Sequence, residues 1–296
     1  VSKPESTRWT ALLALFILAL LWGYNWVQMK IAVQYAPPFQ FAALRVSLGA
    51  MSLLFALAVL RKPMLPKEIP ATFWAGVLQI GGVYGLATWA LVSGSAGRTS
   101  VLVYMMPLWT LLFAWLFLHE RVRGLQWVAI ALSITGLLLI LDLPHLHGTL
   151  VSKALALLAG VCWAMGAIIA KQVRQTVKLD LLSFTAWQMV AGALPLLLVV
   201  LLVPATHPIV WSQPFVLALV YNVIPGTAIA TLLWLYVLNC LPAGTAGLGV
   251  LLNPVIGVLA AWLQLGEKPT PLEAAGMAAI AIALALNALQ AMKSPS

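Results

Sequence analysis

Seven carboxylates, four histidines and two cysteines are the groups in this chain that could do chemistry, and their placement decides which chemistry is open to it. Glu5, Glu68, Glu120, Asp142, Asp180, Glu267 and Glu273 all fall at the ends of apolar runs or between them, as do His119, His145, His147 and His207. An intramembrane protease or a metal-dependent hydrolase needs an aspartate pair, a serine with a histidine, or a His/Glu metal set inside such a run. None of the runs carries one, so the chain reads as a non-enzyme with no catalytic residue, no metal and no cofactor. Haem and iron–sulfur ligation fail for the same want of ligands. Cys162 and Cys240 lie inside apolar runs and read as small packing residues.

What the runs do hold is neutral and aromatic: Trp22, Tyr24 and Asn25; Gln79 and Tyr84; Tyr104; Trp163; Trp187 and Gln188; Tyr221 and Asn222; and Asn253. Such residues suit a zwitterion with a bulky apolar side chain, because aromatic faces stack on the apolar part while amides hydrogen-bond the charged ends. Taken singly, each aromatic also reads as packing or as an interfacial anchor. As a set, and with nine methionines to soften a pocket, they favour an amphiphilic cargo. Arg45 is the one basic residue well inside a run, roughly 10 Å beyond the Pro37-Pro38 boundary at about 1.5 Å per residue. It either binds a substrate carboxylate or reaches back to the interface. A sugar-phosphate carrier needs several converging cations, and only Lys30 or Arg98 could join Arg45, so that cargo is disfavoured.

These side chains are carried by elements that the composition specifies. The chain has 296 residues, 63% hydrophobic and 8% charged, where a soluble protein has about a quarter of its residues charged. It therefore belongs in a membrane. The net charge of +9 does not indicate nucleic acid, because the Lys and Arg sit singly or in twos and threes between apolar runs rather than along one element. With about 20 apolar residues needed per crossing, ten spans are predicted, at 9–30, 38–60, 70–91, 96–118, 124–142, 150–171, 180–203, 213–238, 243–265 and 271–291. The first is too long for a signal-peptide core and is expected to be retained. Short separators rich in proline and charge mark the exits from the bilayer. With the N-terminus inside, eleven of the 16 Lys and Arg fall on the cytoplasmic side, so both termini are expected there.

An internal repeat organises the spans. Pro107, Leu112, Ala114, Trp115, Leu116, Leu118 and Glu120 recur as Pro254, Leu259, Ala261, Trp262, Leu263, Leu265 and Glu267, always 147 residues on. Ala96-Gly97 recurs as Ala243-Gly244 at the same offset, and Trp22 and Lys30 are echoed by Trp163 and Lys171, 141 residues on. Two halves of five spans, 1–148 and 149–296, follow. Five is odd, so the second half starts on the opposite side and the copies must be inverted. Pro107 and Pro254 lie about eleven residues into their spans, and helices four and nine are expected to kink there. With Gly97 and Gly244 they form the candidate kink or gating set. Glu120 and Glu267, on opposite sides, read as boundary residues that fix loops. Small-residue pairs at Gly81/Gly85, Ser93/Gly97, Gly160/Ala164 and Ala243/Gly247 predict close helix contacts.

The doubled A-G-x9-P-x12-E arrangement resembles the EamA-type transporters of the drug/metabolite transporter superfamily, over essentially the whole chain. The resemblance implies an all-α integral membrane protein of ten helices in two inverted five-helix repeats. It also implies a central cavity flanked by helices 3, 4, 8 and 9, closed by helices 1, 2, 6 and 7, with helices 5 and 10 peripheral. Members export amino acids and other small metabolites. The four-helix small multidrug exporters, which resemble a minimal version of the fold, carry a glutamate in the first helix, where this chain reads LLWGYNWVQ. A cation-for-proton antiporter of that type is disfavoured, and a channel would require a continuous ring of like polar groups. The reading is a small-metabolite exporter of the bacterial inner membrane, with amino acids of aromatic or bulky apolar type as cargo. Other metabolites or lipophilic drugs are the alternative. The absence of an Asn-x-Ser/Thr sequon fits a bacterial origin. Its partners are the small-molecule substrate and the lipid bilayer, with no nucleic acid and no partner protein, and one chain suffices as a functional unit.

Overall fold

The computed structural model describes residues 5–118, 124–141, 150–240 and 252–293. Their regular structure is helical throughout: α1 Glu5–Ala32, α2 Pro38–Val59, α3 Ile69–Ser93, α4 Ala96–Val103, α5 Met106–Leu118, α6 Leu125–Leu141, α7 Leu150–Thr176, α8 Leu181–Leu202, α9 Gln213–Cys240, α10 Leu252–Leu265 and α11 Pro271–Lys293. Seven segments are long and apolar enough to cross a membrane, with α4 and α5 forming one of them, and Leu125–Ile140, Leu252–Leu265 and Pro271–Leu286 are shorter apolar helices. Large apolar side chains stand out from the bundle, among them Phe55 (71% exposed), Leu201 (81%) and Leu263 (84%). In water such a surface would drive association, whereas lipid tails cover it at no cost.

Local chemistry sets the helix starts. Pro38 occupies the first turn of α2, where its missing N–H is not needed. Asp180 accepts from Ser183 N at 3.0 Å to begin α8, and Ser95 accepts from Arg98 N at 3.3 Å to begin α4. At α11, Thr270 and Glu273 form a reciprocal capping box, with Thr270 N to Glu273 Oε2 at 3.1 Å and Glu273 N to Thr270 Oγ1 at 3.2 Å.

Among the described residues, three spans are not plain α-helices. α3 changes to π geometry over Val77–Gly82, and α9 does the same over Ile224–Ile229. The two π turns lie 147 residues apart, at the offset of the sequence repeat. The sequence reading anticipated neither, although Pro225 removes an N–H inside the second. The third break falls at Tyr104 and Met105, between α4 and α5, so Pro107 sits in the first turn of α5 rather than at the bend itself. A proline ring collides with the carbonyl one turn upstream, so the interruption opens before the proline. Pro254 likewise occupies the first turn of α10; Gly244, Glu120 and the Ala243/Gly247 pair lie outside the described residues.

Helices of the two halves interleave. α1 packs on α9 and α10, while α7 packs on α3, α4 and α5; α2 packs on α8, and α6 on α11. Exchanging the halves maps α1–α9 onto α7–α3 and α1–α10 onto α7–α5, and leaves α2–α8 and α6–α11 paired; the counterpart of the α7–α4 contact lies outside the described residues. Gly136 and Gly276 let α6 and α11 touch backbone to backbone, since a Cβ on either would stand 2.7 Å from the other's carbonyl oxygen. Gly81 and Gly85 face α8, Gly97 faces Val258 of α10, and Gly160 faces Val103 and Trp109.

Candidate functional site

The polar residues of the span interiors gather into three groups. The first is built where α1, α4 and α10 meet. Asn253 Nδ2 donates to the Tyr104 hydroxyl at 2.9 Å, and the Trp26 ring meets the Tyr104 ring edge-on with centroids 6.2 Å apart. Tyr104 is the residue at which the α4–α5 helix breaks, so the interruption aims a side chain inward. Asn253 is fully buried, and its Oδ1 has no partner among the described residues.

The second group centres on Arg45. Its guanidinium lies 4.0 Å from the centroid of the Tyr84 ring. Arg45 is 1% exposed, so it does not reach back to an interface, and its Nε and Nη1 have no hydrogen-bond partner among the described residues. No carboxylate pairs with it there either, since the ion pairs among those residues are Lys62–Asp180 and Arg98–Glu273. Burying an ion costs several kcal/mol even after relaxation, and a desolvated cation–π contact returns about 2 kcal/mol. Stability alone therefore does not account for Arg45. One turn before it, Phe41 meets Phe215 of α9 with centroids 6.3 Å apart; one turn after it, Gly49 abuts Thr227. These two contacts bracket Arg45 at the height of the α9 stretch that carries Tyr221 and Asn222. Asn222 is fully buried, with Nδ2 on Ala218 O at 2.8 Å and Oδ1 unpartnered among the described residues. Thr88, one turn from Tyr84 on α3, is also fully buried with an unpartnered hydroxyl.

The third group is a pair of matched contacts at the π turns. In α9 the Gly226 carbonyl, inside the π turn, accepts from Trp22 Nε1 at 3.2 Å, and Gly226 leaves room for Asn25, whose Oδ1 would lie 2.6 Å from an added Cβ. In α3 the side chain and the space are swapped: Gln79 presents its side chain to Gly166 of α7, where an added Cβ would meet Gln79 Cγ at 2.5 Å. Gln79 Oε1 then accepts from Gln188 Nε2 at 3.0 Å, joining α3 to α8. Tyr221 donates to Leu21 O at 3.0 Å and stacks edge-on against Tyr24, which donates to Gln264 Oε1 at 2.8 Å.

Two sequence candidates stand apart from these groups. Trp187 donates from Nε1 to Met64 O at 2.8 Å and so ties α8 to the loop after α2. Trp163 is half-buried on α7. Trp26, Thr88, Gly166 and Gly226 belong to the groups but were not singled out from sequence. A spacing of four from Trp22 and from Tyr84 could have flagged the first two; the glycines gave no signal.

One face of the bundle is fastened by charge. Lys30 Nζ donates to Leu91 O at 2.7 Å and Gly94 O at 2.8 Å, closing the end of α3 from α1. Ser152 of α7 donates to Ala90 O at 2.8 Å. Glu267, beyond α10, accepts from Ala96 N in the first turn of α4 at 2.7 Å, where the helix dipole favours a negative charge. Arg98 and Glu273 form an ion pair, both largely buried. Glu267 thus fixes more than its own loop, since it binds the other half of the chain. At the loop after α2, to which Trp187 donates, the contacts are looser: Lys62 and Asp180 stand 3.4 Å apart with Lys62 half exposed, which contributes little. Two hollows among the described residues are lined by none of the residues of these three groups. One, of about 220 Å³, is an apolar groove between α4, α10 and α11; the other, of about 290 Å³, lies by Lys67, Lys178 and Asp180.

Comparisons with known proteins agree on the kind of protein. A solved crystal structure superposes with a TM-score of 0.66 over 97% of this chain and 98% of its own, at 19% identity, which shows the fold alone. Among sequences, the chain is 29% identical to "Uncharacterized transporter YoaV" of Bacillus subtilis, covering 88% of this chain and 90% of that one. It is 28% identical to "Uncharacterized inner membrane transporter YedA" of Escherichia coli K12, over 93% and 90%. It is also 27% identical to a protein of Salmonella typhimurium named "Probable amino-acid metabolite efflux pump", over 95% of each. The profile of the EamA-like transporter family matches twice, at residues 9–142 and 152–289, and this multi-pass membrane chain therefore belongs to the EamA-like transporter family.

Proposed function

We propose that this protein exports small metabolites, foremost amino acids with aromatic or bulky apolar side chains, by alternating access around a central cavity. The observation that carries the reading is the content of the bundle centre. Residues of both halves, Trp26, Tyr84, Tyr104, Asn222 and Asn253, offer ring faces and amides there, and the only ion among them is a cation, Arg45. Such a lining fits an amphiphile with an anionic end and rejects a lipophilic cation. The efflux-pump name of the Salmonella typhimurium relative points the same way.

The architecture belongs to the same proposal: ten spans in two inverted halves, 1–148 and 149–296, with both termini cytoplasmic, in a bacterial inner membrane. Support comes from the π turns 147 residues apart, from contacts that survive exchange of the halves, and from the swapped Asn25/Gly226 and Gln79/Gly166 pairs. An inverted repeat gives two arrangements of equal construction, one open to each side. The central residues are sealed from solvent in this structure, with Asn222 and Asn253 fully buried and Tyr104 9% exposed, as expected of a carrier between its open states. A single chain forms the unit. Counterflow into proteoliposomes of labelled phenylalanine, methionine, a sugar phosphate and a lipophilic cation tests the reading. Exchange-stimulated uptake of the two amino acids is expected, and uptake of only the other two refutes it.

A further inference from the structure

We infer that Arg45, lying over the face of Tyr84, is the seat of the cargo's carboxylate, and that an anionic carboxylate is required of whatever this carrier moves. The inference rests on the transport reading above and narrows it to a chemical requirement. Arg45 is 1% exposed, its Nε and Nη1 are unpartnered, and no carboxylate among the described residues answers its charge. A guanidinium keeps its charge and presents donors in a planar fork that matches a carboxylate. The ring of Tyr84 covers one face of the fork, 4.0 Å from its centroid, and leaves the in-plane N–H groups for an acceptor.

The surroundings supply the other half of an amino acid's recognition. Asn222 and Asn253 each hold a buried Oδ1 with no partner among the described residues. These acceptors suit an ammonium, so the centre contains unanswered donors and unanswered acceptors, as a zwitterion requires. The contacts at Phe41 and Gly49 bring Arg45 level with the stretch of α9 that holds Asn222.

The test compares wild-type protein with Arg45→Met and Arg45→Lys by thermal stabilisation in detergent and by transport in proteoliposomes. The probes are phenylalanine, phenylalaninamide, phenethylamine, acetate and chloride. Wild-type protein is expected to prefer phenylalanine to its amide and amine at least tenfold, about 1.4 kcal/mol. In Arg45→Met the three should fall within about threefold, and Arg45→Lys should fall between. The melting temperature of unliganded Arg45→Met should equal or exceed that of wild type, because a buried unpaired charge is removed; a lower one assigns Arg45 to structure and overturns the inference. Equal preference for acid and amide in wild type also overturns it, as does stabilisation by chloride alone. If acetate stabilises wild type and not Arg45→Met while no amino acid is carried, the carboxylate seat stands and the amino-acid reading falls.

Discussion

Replacing Glu267 by alanine should loosen the fastened face, and the size of the effect follows from one contact. Glu267 Oε2 accepts from Ala96 N at 2.7 Å, in the first turn of α4, where no intrahelical acceptor serves that N–H. A hydrogen bond to a charged group contributes about 1.5–3 kcal/mol, and the lower end applies to a partly exposed carboxylate. About 1.5 kcal/mol is close to a tenfold change in an equilibrium constant. If the contact exists only while this face is closed, Glu267→Ala shifts the closed-to-open ratio about tenfold toward open. A cysteine at Thr99, 2% exposed and one turn into α4, reports the change in a background with Cys162 and Cys240 replaced. Its labelling rate by a maleimide in detergent should rise about tenfold, with Glu267→Gln nearer threefold because an oxygen acceptor remains. A rate within twofold of the parent, from protein that elutes as a folded monomer, would refute the reasoning.

Three further outcomes follow from other contacts. Gly276→Val inserts a side chain where the Cβ alone would stand 2.7 Å from Gly136 O; overpacking of about 1–3 kcal/mol should lower the melting temperature measured by tryptophan fluorescence, with transport per folded molecule unchanged. Trp22→Phe removes the donor to Gly226 O at 3.2 Å and should cost about 1 kcal/mol of stability, read as a lower thermal midpoint without loss of helical signal. Asn253→Leu leaves the Tyr104 hydroxyl without its 2.9 Å partner, so KM for the cargo should rise about tenfold, from about 1–3 kcal/mol lost at a buried polar group; an unchanged KM would remove Asn253 from the site.

The chain's own order was enough to place the protein in a membrane and to locate the seven segments that are long and apolar enough to cross it. Length of apolar run, proline and charge at the exits, and a repeat at 147 residues are all one-dimensional properties, because the bilayer imposes a fixed thickness and forbids unpaired backbone groups. The candidate residues were legible for the same reason: a polar side chain amid apolar ones is conspicuous, as with Gln79, Gln188, Asn222 and Asn253. Their grouping was not. Whether Arg45 turned inward or toward the interface depended on the rotation of α2 against α3 and α9, which only packing sets, and the structure turns it onto Tyr84. The π turns escaped notice because Val77–Gly82 has no proline and differs from ordinary helix by one hydrogen-bond step. Glu267 read as a loop end because its partner, Ala96 N, is 171 residues away and carries no side-chain signal. Sequence thus determined what each apolar run offers and that a residue pattern recurs 147 residues on. Tertiary structure decided which offers meet, because contact between interleaved halves depends on helix rotation and on glycines whose empty space no composition records.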